Sequence, residues 1–557
     1  MTTTSPLPKT PSTAPGEVNQ RFTAEEIAQM QPYGAVRRHA AGDVLFQEGD
    51  TEIDCIVLLS GQLDLYLNER GLERRVGWLE PGQFVGDGAL LSGRAAIVEA
   101  RMEEAGEVLH IPRGSFQRLL ARESRLSDLF VNSILARQAW LRSTGRTNVT
   151  VVGSAYSRES FAVRDLLQRN GVNFHWLDVD TDPQLVGALE AKGIRLEDLR
   201  VVFRGGSLRL LRPSQADLVS AFGLDLLGDG ECADVVVVGA GPGGLAASVY
   251  GASEGLSVLT LDVGGAGGQA ASSSKIENYL GFPTGLSGRE LTERALLQAE
   301  KFGARIVGTV EVESLERDGS DYCVRLKGGR CMGARAVVLA SGMRYRRLPL
   351  ANLEQFEGRG VYYGATPMEA QLCAGSRVAV VGAGNSAGQG AMFLAQTALE
   401  VHVLYRRPDI RETMSEYLVS RLESLPNVFL HPETEIEALR GSEGRLGEIG
   451  CRVGESEEMA LETPFVFLFI GAKPCSEWLP EAIAKDEGGF IKTGAALTPR
   501  DLVKAGWTLE RMPSLYETSW PRVYAVGDVR AGSIKRVASA VGEGSVCVQF
   551  IHQALVS

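Results

Sequence analysis

Apolar positions along this chain change rhythm twice. Between residues 42 and 61 they come in short alternating stretches broken by glycine, as in Gly42-Asp-Val-Leu-Phe-Gln-Glu-Gly49-Asp50 and Cys55-Ile-Val-Leu-Leu-Ser-Gly61. Turns that frequent predict a β-roll or barrel, and helix-like spacing follows over 115–120 and 126–142. Over 149–224 the order becomes strand 149–152, helix 160–170, strand 173–177, helix 183–191, strand 200–203 and, beyond Pro213, a last helix. From 233 onward largely apolar runs recur at 235–238, 258–261, 336–340, 378–381, 401–404 and 465–470, several of them ending on a glycine. The fold class expected is multidomain α/β and β: an N-terminal roll, a small α/β module, then two Rossmann-like units.

Two of these runs lead into glycine fingerprints. Gly239-Ala-Gly241-Pro242-Gly243-Gly244 follows 235–238 and opens a helix through Leu245-Ala-Ala-Ser-Val-Tyr250, while Gly382-Ala-Gly384-Asn385-Ser386-Ala387 follows 378–381. Such a turn lets backbone N–H groups approach a pyrophosphate at a helix N-terminus. A step of 23 residues from the first glycine reaches a reader at the end of the next strand: Asp262 in one site and Tyr405 in the other, followed by Arg406 and Arg407 with Arg411 close behind. A carboxylate accepts hydrogen bonds from a free ribose 2′-OH, whereas guanidinium groups pair with a 2′-phosphate. The first site therefore reads as FAD and the second as NADPH.

At 557 residues the chain is too long for one ordinary domain. Its 57 Lys plus Arg against 69 Asp plus Glu leave a formal charge of −12, which argues against a nucleic-acid partner. There is no apolar span of membrane length and no apolar signal core, so residues 1–18 read as a disordered Thr/Ser/Pro-rich tail and a cytoplasmic location is expected. The eight cysteines contain no Cys-x-x-Cys pair and do not resemble a secreted disulfide framework, and six scattered histidines offer no metal-ligand cluster.

The glycine-punctuated region resembles a cyclic-nucleotide-binding domain, through Phe84-Val-Gly86-Asp87-Gly-Ala-Leu-Leu-Ser-Gly-Arg94-Ala-Ala. That family's cassette implies a possible cyclic nucleotide held by Gly86, Asp87 and Arg94, the carboxylate on the ribose 2′-OH and the arginine on the cyclic phosphate. Asp87 is one methylene shorter than the family's glutamate and the spacing to Arg94 is compressed, so a docking or dimerisation module with a relict pocket is the competing reading. Residues 149–224 resemble the glutaredoxin/thioredoxin fold, with Trp176-Leu-Asp-Val-Asp180-Thr-Asp-Pro183 similar to its second-strand region. Where that family places two cysteines before a helix, this chain has Ser157-Arg-Glu-Ser160, and Arg200 stands at the family's cis-proline position. A structural or partner-docking module without dithiol chemistry is expected.

From about 233 to 554 the chain resembles the low-molecular-weight, bacterial-type thioredoxin reductase family. The residues that carry the resemblance are Gly267-Gly268-Gln269, Ile276-Glu-Asn278-Tyr-Leu-Gly-Phe282-Pro283, Val523-Tyr-Ala-Val-Gly527-Asp528-Val and Arg536-Val537-Ala538. It implies that Gly268, Gln269 and Asn278 lie beside the flavin and that Asp528 holds a ribityl hydroxyl. A helix opening at Arg536, Val537 and Ala538 would face the flavin pyrimidine edge with its N-terminal dipole. The domains expected are a tail at 1–18, the roll at 19–145, the α/β module at 146–224, an FAD-binding domain at 233–352 and 474–557, and an NADPH-binding domain at 353–473. Gly342 and Gly471 mark the returns between the halves.

The resemblance further implies a homodimer, and a two-stranded hinge about which domain rotation presents either NADPH or a redox disulfide to one flavin. The cysteines of that disulfide would fall around Gly364-Ala-Thr-Pro-Met368, where there is none, and Cys373 alone cannot form the relay. The expected function is an NADPH-dependent FAD oxidoreductase that passes electrons to an unidentified acceptor or small-molecule substrate, with no catalytic acid, base or metal singled out. One alternative is electron transfer like that of ferredoxin/flavodoxin–NADP reductases. It is disfavoured because Ala554-Leu-Val-Ser557 supplies no aromatic extension over the flavin. The other is a non-enzymatic sensor or scaffold responsive to flavin, NADPH or a cyclic nucleotide.

Overall fold

The computed structural model describes residues 20–69, 72–86, 90, 91, 93, 95, 96, 98–144, 149–154, 157–190, 201–204, 208–228, 230–273, 276, 279–365, 367–442 and 445–556. The expectations for residues 1–18, Asp87, Arg94, Arg200 and Asn278 lie outside the described residues. The chain divides into two compact units. One runs up to Thr150 and takes in Asn173–His175 and Val202–Leu210; the other comprises Val151–Val172, Trp176–Val201 and Leu211–Ser557.

The first unit carries two four-stranded sheets. Ala35–His39, Gly106–Ile111, Cys55–Leu58 and Phe84–Val85 form one in that order, and Val44–Phe46, Glu99–Glu104, Gln62–Glu69 and Leu72–Leu79 form the other. Strand alternation turns Ile56, Leu58, Leu63, Leu79, Met102 and Val108 into a common core. Helices Arg113–Arg122 and Ser124–Thr144 follow, and the rings of Phe84, Phe116 and Phe130 meet at 4.7 and 4.9 Å between centroids. This is the expected roll. Gly86 has φ 109°, and a Cβ there would lie 2.8 Å from the Asp54 carbonyl, so the position requires glycine whether or not a nucleotide binds.

Residues 149–211 supply a further four-stranded sheet, ordered His175–Asp178, Val149–Gly153, Val201–Arg204, Leu208–Leu211. Helices Arg158–Arg169, Pro183–Glu190 and Gln215–Ala221 accompany it. The last strand escapes a pattern reading, because Leu-Arg-Leu-Leu is too short to display a period.

In the second unit, Cys232–Val238 lies between Val258–Leu261 and Cys331–Leu339, parallel to both, and the returning strand Val523–Ala525 adds on beside Cys331–Leu339. Cys323 and Cys331 are joined in a disulfide across adjacent antiparallel strands, and the other six cysteines are free. Hairpin register, invisible in the cysteine spacing, brings that pair together. An inserted half follows, with its own parallel sheet ordered Val361–Tyr362, Phe465–Leu468, Arg377–Val381, Glu400–Leu404, Val428–His431. The insert is tied to the enclosing half by Met343–Tyr345 paired antiparallel with Ala472–Pro474. Leu348 and Leu350, just before Asn352, are partly buried against the insert's core.

The α/β module touches both halves. Asn170 Nδ2 donates to the Gly264 carbonyl at 3.4 Å in the enclosing half, while Glu159 and Asp180 pair with Arg359 and Arg445 of the insert at 3.7 and 3.5 Å. None of the described helices is long and apolar enough to cross a membrane.

Candidate functional site

Three different constraints set the first fingerprint. Gly239 has φ 107°, and a Cβ on it would lie 2.3 Å from the Ala340 carbonyl. Gly244 backs onto the same turn, its Cβ position 1.8 Å from the Gly239 carbonyl, and Gly243 and Gly544 together let the last helix in, since a Cβ on Gly243 would lie 3.2 Å from the Ala540 carbonyl and one on Gly544 2.1 Å from the Gly243 carbonyl. Gly241 caps helix Pro242–Ser253, and Pro242 occupies the first turn, where its missing N–H costs nothing. The nearest atom to a Cβ on Gly241 would be the Cα of Gly268 at 3.9 Å. A Cβ on Gly268 would lie 2.9 Å from the Gly241 Cα, so the two backbones meet closely and leave a glycine-lined cradle beside a helix N-terminus with unsatisfied N–H groups. That cradle fits the pyrophosphate of a dinucleotide.

Asp262 ends the next strand, as the spacing requires. One carboxylate oxygen accepts from Ala240 N at 2.8 Å and the other from Gly264 N at 2.9 Å and Gly265 N at 3.1 Å. Burial pushes its pKa up, while these three donors and the charge of Arg169 pull the other way. The two donors on Oδ1 fill its lone pairs, and Oδ2, with one donor, keeps capacity for a sugar hydroxyl.

Gln269 Nε2 donates to the Met343 carbonyl at 2.6 Å, fixing the turn against the ribbon that leads to the insert. Gly342, at φ 66°, has open space where a Cβ would be, and its carbonyl accepts from Cys475 N at 2.9 Å. Gly471, at φ 89°, accepts from Arg346 N at 2.8 Å. Asp528 is half-buried, and its carboxylate receives no hydrogen bond from the described residues; burial raises its pKa. An unpartnered carboxylate of this kind suits a ligand hydroxyl.

Beside it sits a residue that motif reasoning missed. Glu543, buried on helix Val537–Val556, accepts from Gly527 N at 2.6 Å and pairs with Arg530 at 2.5 and 3.0 Å. A lone glutamate in an otherwise apolar helix was the available signal. Arg536 precedes the first residue of that helix and its carbonyl accepts from Ala540 N at 3.0 Å; Arg536 and Ala538 are exposed and Val537 is half-buried.

At the second fingerprint, Gly382 has φ 142° and a Cβ there would meet the Phe469 carbonyl at 2.5 Å. Gly384 caps helix Asn385–Leu394 with nothing within 4 Å of its Cβ position, Ser386 is exposed and Ala387 is buried. Asn385 turns aside, its Oδ1 accepting from Ser415 N at 2.8 Å. The three arginines separate. Arg407 pairs with Glu412 at 2.5 Å, and Arg411 donates to both oxygens of Glu423 at 2.8 and 3.0 Å. Arg406 is exposed and has no ionic partner among the described residues.

At the position where the resembled family carries its dithiol, Ser157 caps its helix, accepting from Ser160 N at 3.2 Å and donating to Glu159 at 2.9 Å. Cys373 is fully buried, and burial pushes its thiol up to about 11. No metal-holding group of three or more His, Cys, Asp or Glu occurs among the described residues.

Residues 233–544 match the pyridine nucleotide-disulphide oxidoreductase family, and residues 36–123 match the cyclic nucleotide-binding domain. The thioredoxin reductase of Bacillus subtilis (strain 168) is 30% identical over 320 residues, covering 57% of this chain and 93% of that protein. The NADPH-dependent thioredoxin reductase 3 of Arabidopsis thaliana is 31% identical over 335 residues, 58% of each chain. The crystal structure of T. acidophilum thioredoxin reductase superposes with a TM-score of 0.52 at 27% identity, covering 59% of this chain and 100% of that one.

Proposed function

Because the chain belongs to the pyridine nucleotide-disulphide oxidoreductase family, we propose that it oxidises NADPH through a bound FAD and delivers the electrons to an acceptor other than a disulfide of its own. The observation that supports this most is the opposed pair of readers, a backbone-held carboxylate at Asp262 and a guanidinium at Arg406 with no ionic partner among the described residues. When both are bound, the cofactors supply hydride transfer from nicotinamide to flavin.

The chain's own residues bind and orient. Gly241, Gly243, Gly244 and Gly268 admit the FAD pyrophosphate, Asp262 takes a ribose hydroxyl and Asp528 a ribityl hydroxyl. Gly384 and Arg406 hold the pyrophosphate and 2′-phosphate of NADPH. The N-terminus of helix Val537–Val556 lends positive potential to the flavin edge.

No second thiol accompanies Cys373, and Ser157 and Ser160 have no redox chemistry, so neither dithiol station of a thioredoxin-type relay is present in the sequence. A ferredoxin or flavodoxin, a quinone, dioxygen or a small disulfide supplied in trans remain the acceptor classes. The domain limits set out above are proposed with the connection moved to the 343–345/472–474 ribbon, and a homodimer is proposed with them. A sensor role is the second reading, favoured by the cyclic nucleotide-binding match at 36–123.

Anaerobic stopped-flow mixing with NADPH separates the two. Rapid bleaching of the oxidised flavin band, followed by reoxidation in a panel of these acceptors, is expected; a flavin that stays oxidised overturns the enzyme reading.

A further inference from the structure

The α/β module ends against the loop that follows Asp262. Asn170 Nδ2 donates to the Gly264 carbonyl, and Gln215 Nε2 donates to the Val263 carbonyl, each at 3.4 Å. The approach is close enough to demand glycine. A Cβ on Gly265 would lie 2.9 Å from both the Cβ and the carbonyl of Arg169, and one on Gly308 would lie 2.3 Å from Asn170 Oδ1.

Arg169 is the group in this contact whose bonding is incomplete. Its Nε donates to Asp165 at 2.9 Å, and its two terminal nitrogens have no acceptor among the described residues. Nη1 lies 3.8 Å from the Cβ position of Gly264, a point itself 4.0 Å from Asp262 Oδ1. A planar cation with free donors thus stands at the ribose reader, contributed by a module outside the Rossmann unit. Its chemistry suits an adenine nucleoside, which offers acceptor nitrogens, hydroxyls and an aromatic face to a guanidinium.

We infer that the α/β module completes the FAD site at its adenosine end, with Arg169 as a direct cofactor-binding residue and Asn170 as the positioning residue for the 263–265 loop. The inference rests on the reading of Asp262 as the FAD ribose reader. A module without thiols thereby serves the flavin that a dithiol module would have discharged.

The test uses the full-length protein stripped of flavin and titrated with FAD and, separately, with FMN, which lacks the adenosine. Binding is followed by flavin fluorescence. Arg169→Met keeps the packing stem and is expected to raise the FAD Kd about tenfold while leaving FMN unchanged, with part of the loss recovered by Arg169→Lys. Asn170→Ala is expected to weaken FAD without weakening FMN. Wild-type FAD affinity in Arg169→Met, alongside a weakened Asp262→Asn, overturns the inference and leaves the Asp262 reading standing. Equal weakening of FAD and FMN also overturns it, by showing a general structural effect. Unchanged FAD affinity in Asp262→Asn removes the underlying reading instead.

Discussion

Charge at a single side chain counts only after its neighbours are known. Arg406, Arg407 and Arg411 look equivalent in the sequence, yet Glu412 and Glu423 engage the latter two. Arg406→Ala is accordingly expected to raise the KM for NADPH at least about tenfold with little change for NADH, and Arg407→Ala to do less, in steady-state assays with either nucleotide. The spacing of the readers was legible because one strand fixes it. Their partners were not, since Glu423 comes from a separate helix, Glu416–Ser424. Cysteine reactivity follows the same logic. The Cys373 thiol, raised to about 11 by burial, carries almost no thiolate at neutral pH, whereas Cys232 is exposed. Iodoacetamide followed by peptide mapping is expected to label Cys232 in the native protein and Cys373 only after unfolding.

Elements whose chemistry is local were the readable ones. The strand–turn–helix of each fingerprint, the roll and the helix that opens after Arg536 all follow from glycine placement and short-range pattern. The edge strand Leu208–Leu211 and the Cys323–Cys331 pair depend on register with other strands, which no local pattern reports. Packing between elements concentrates at Gly243 and Gly544, and electrostatics at Glu543. Gly244→Ala places a methyl against the Gly239 carbonyl and is expected to abolish FAD retention, checked by flavin content after purification. Glu543→Gln removes the charge opposite Arg530 in a largely buried pair, and urea unfolding should show a loss of about 3 kcal/mol.

Across the molecule the order of modules was legible from changes in rhythm, and the contacts among them were not. Nothing in the sequence distinguishes Arg169 or Asn170 from other polar residues near a helix end, because their role depends on a loop far along the chain. The sequence likewise does not report that Leu348 and Leu350, just before the expected limit near Asn352, pack against the insert's core.

The module that grips the flavin half also holds the insert, through Glu159–Arg359 and Asp180–Arg445. Three of the four side chains are well exposed, so each pair contributes no more than about 1 kcal/mol and weakens as salt rises. If the insert turns on its two-strand ribbon, as the family resemblance implies, both must part while the module stays put. They form an ionic clutch, engaged in dilute buffer and slipping in concentrated electrolyte. At saturating NADPH, where screening of the Arg406 contact no longer limits occupancy, the rate of flavin reduction should therefore depend on ionic strength in the wild type. In Arg359→Ala/Arg445→Ala most of that dependence should vanish, and a variant as salt-sensitive as the wild type would mean the clutch carries no load.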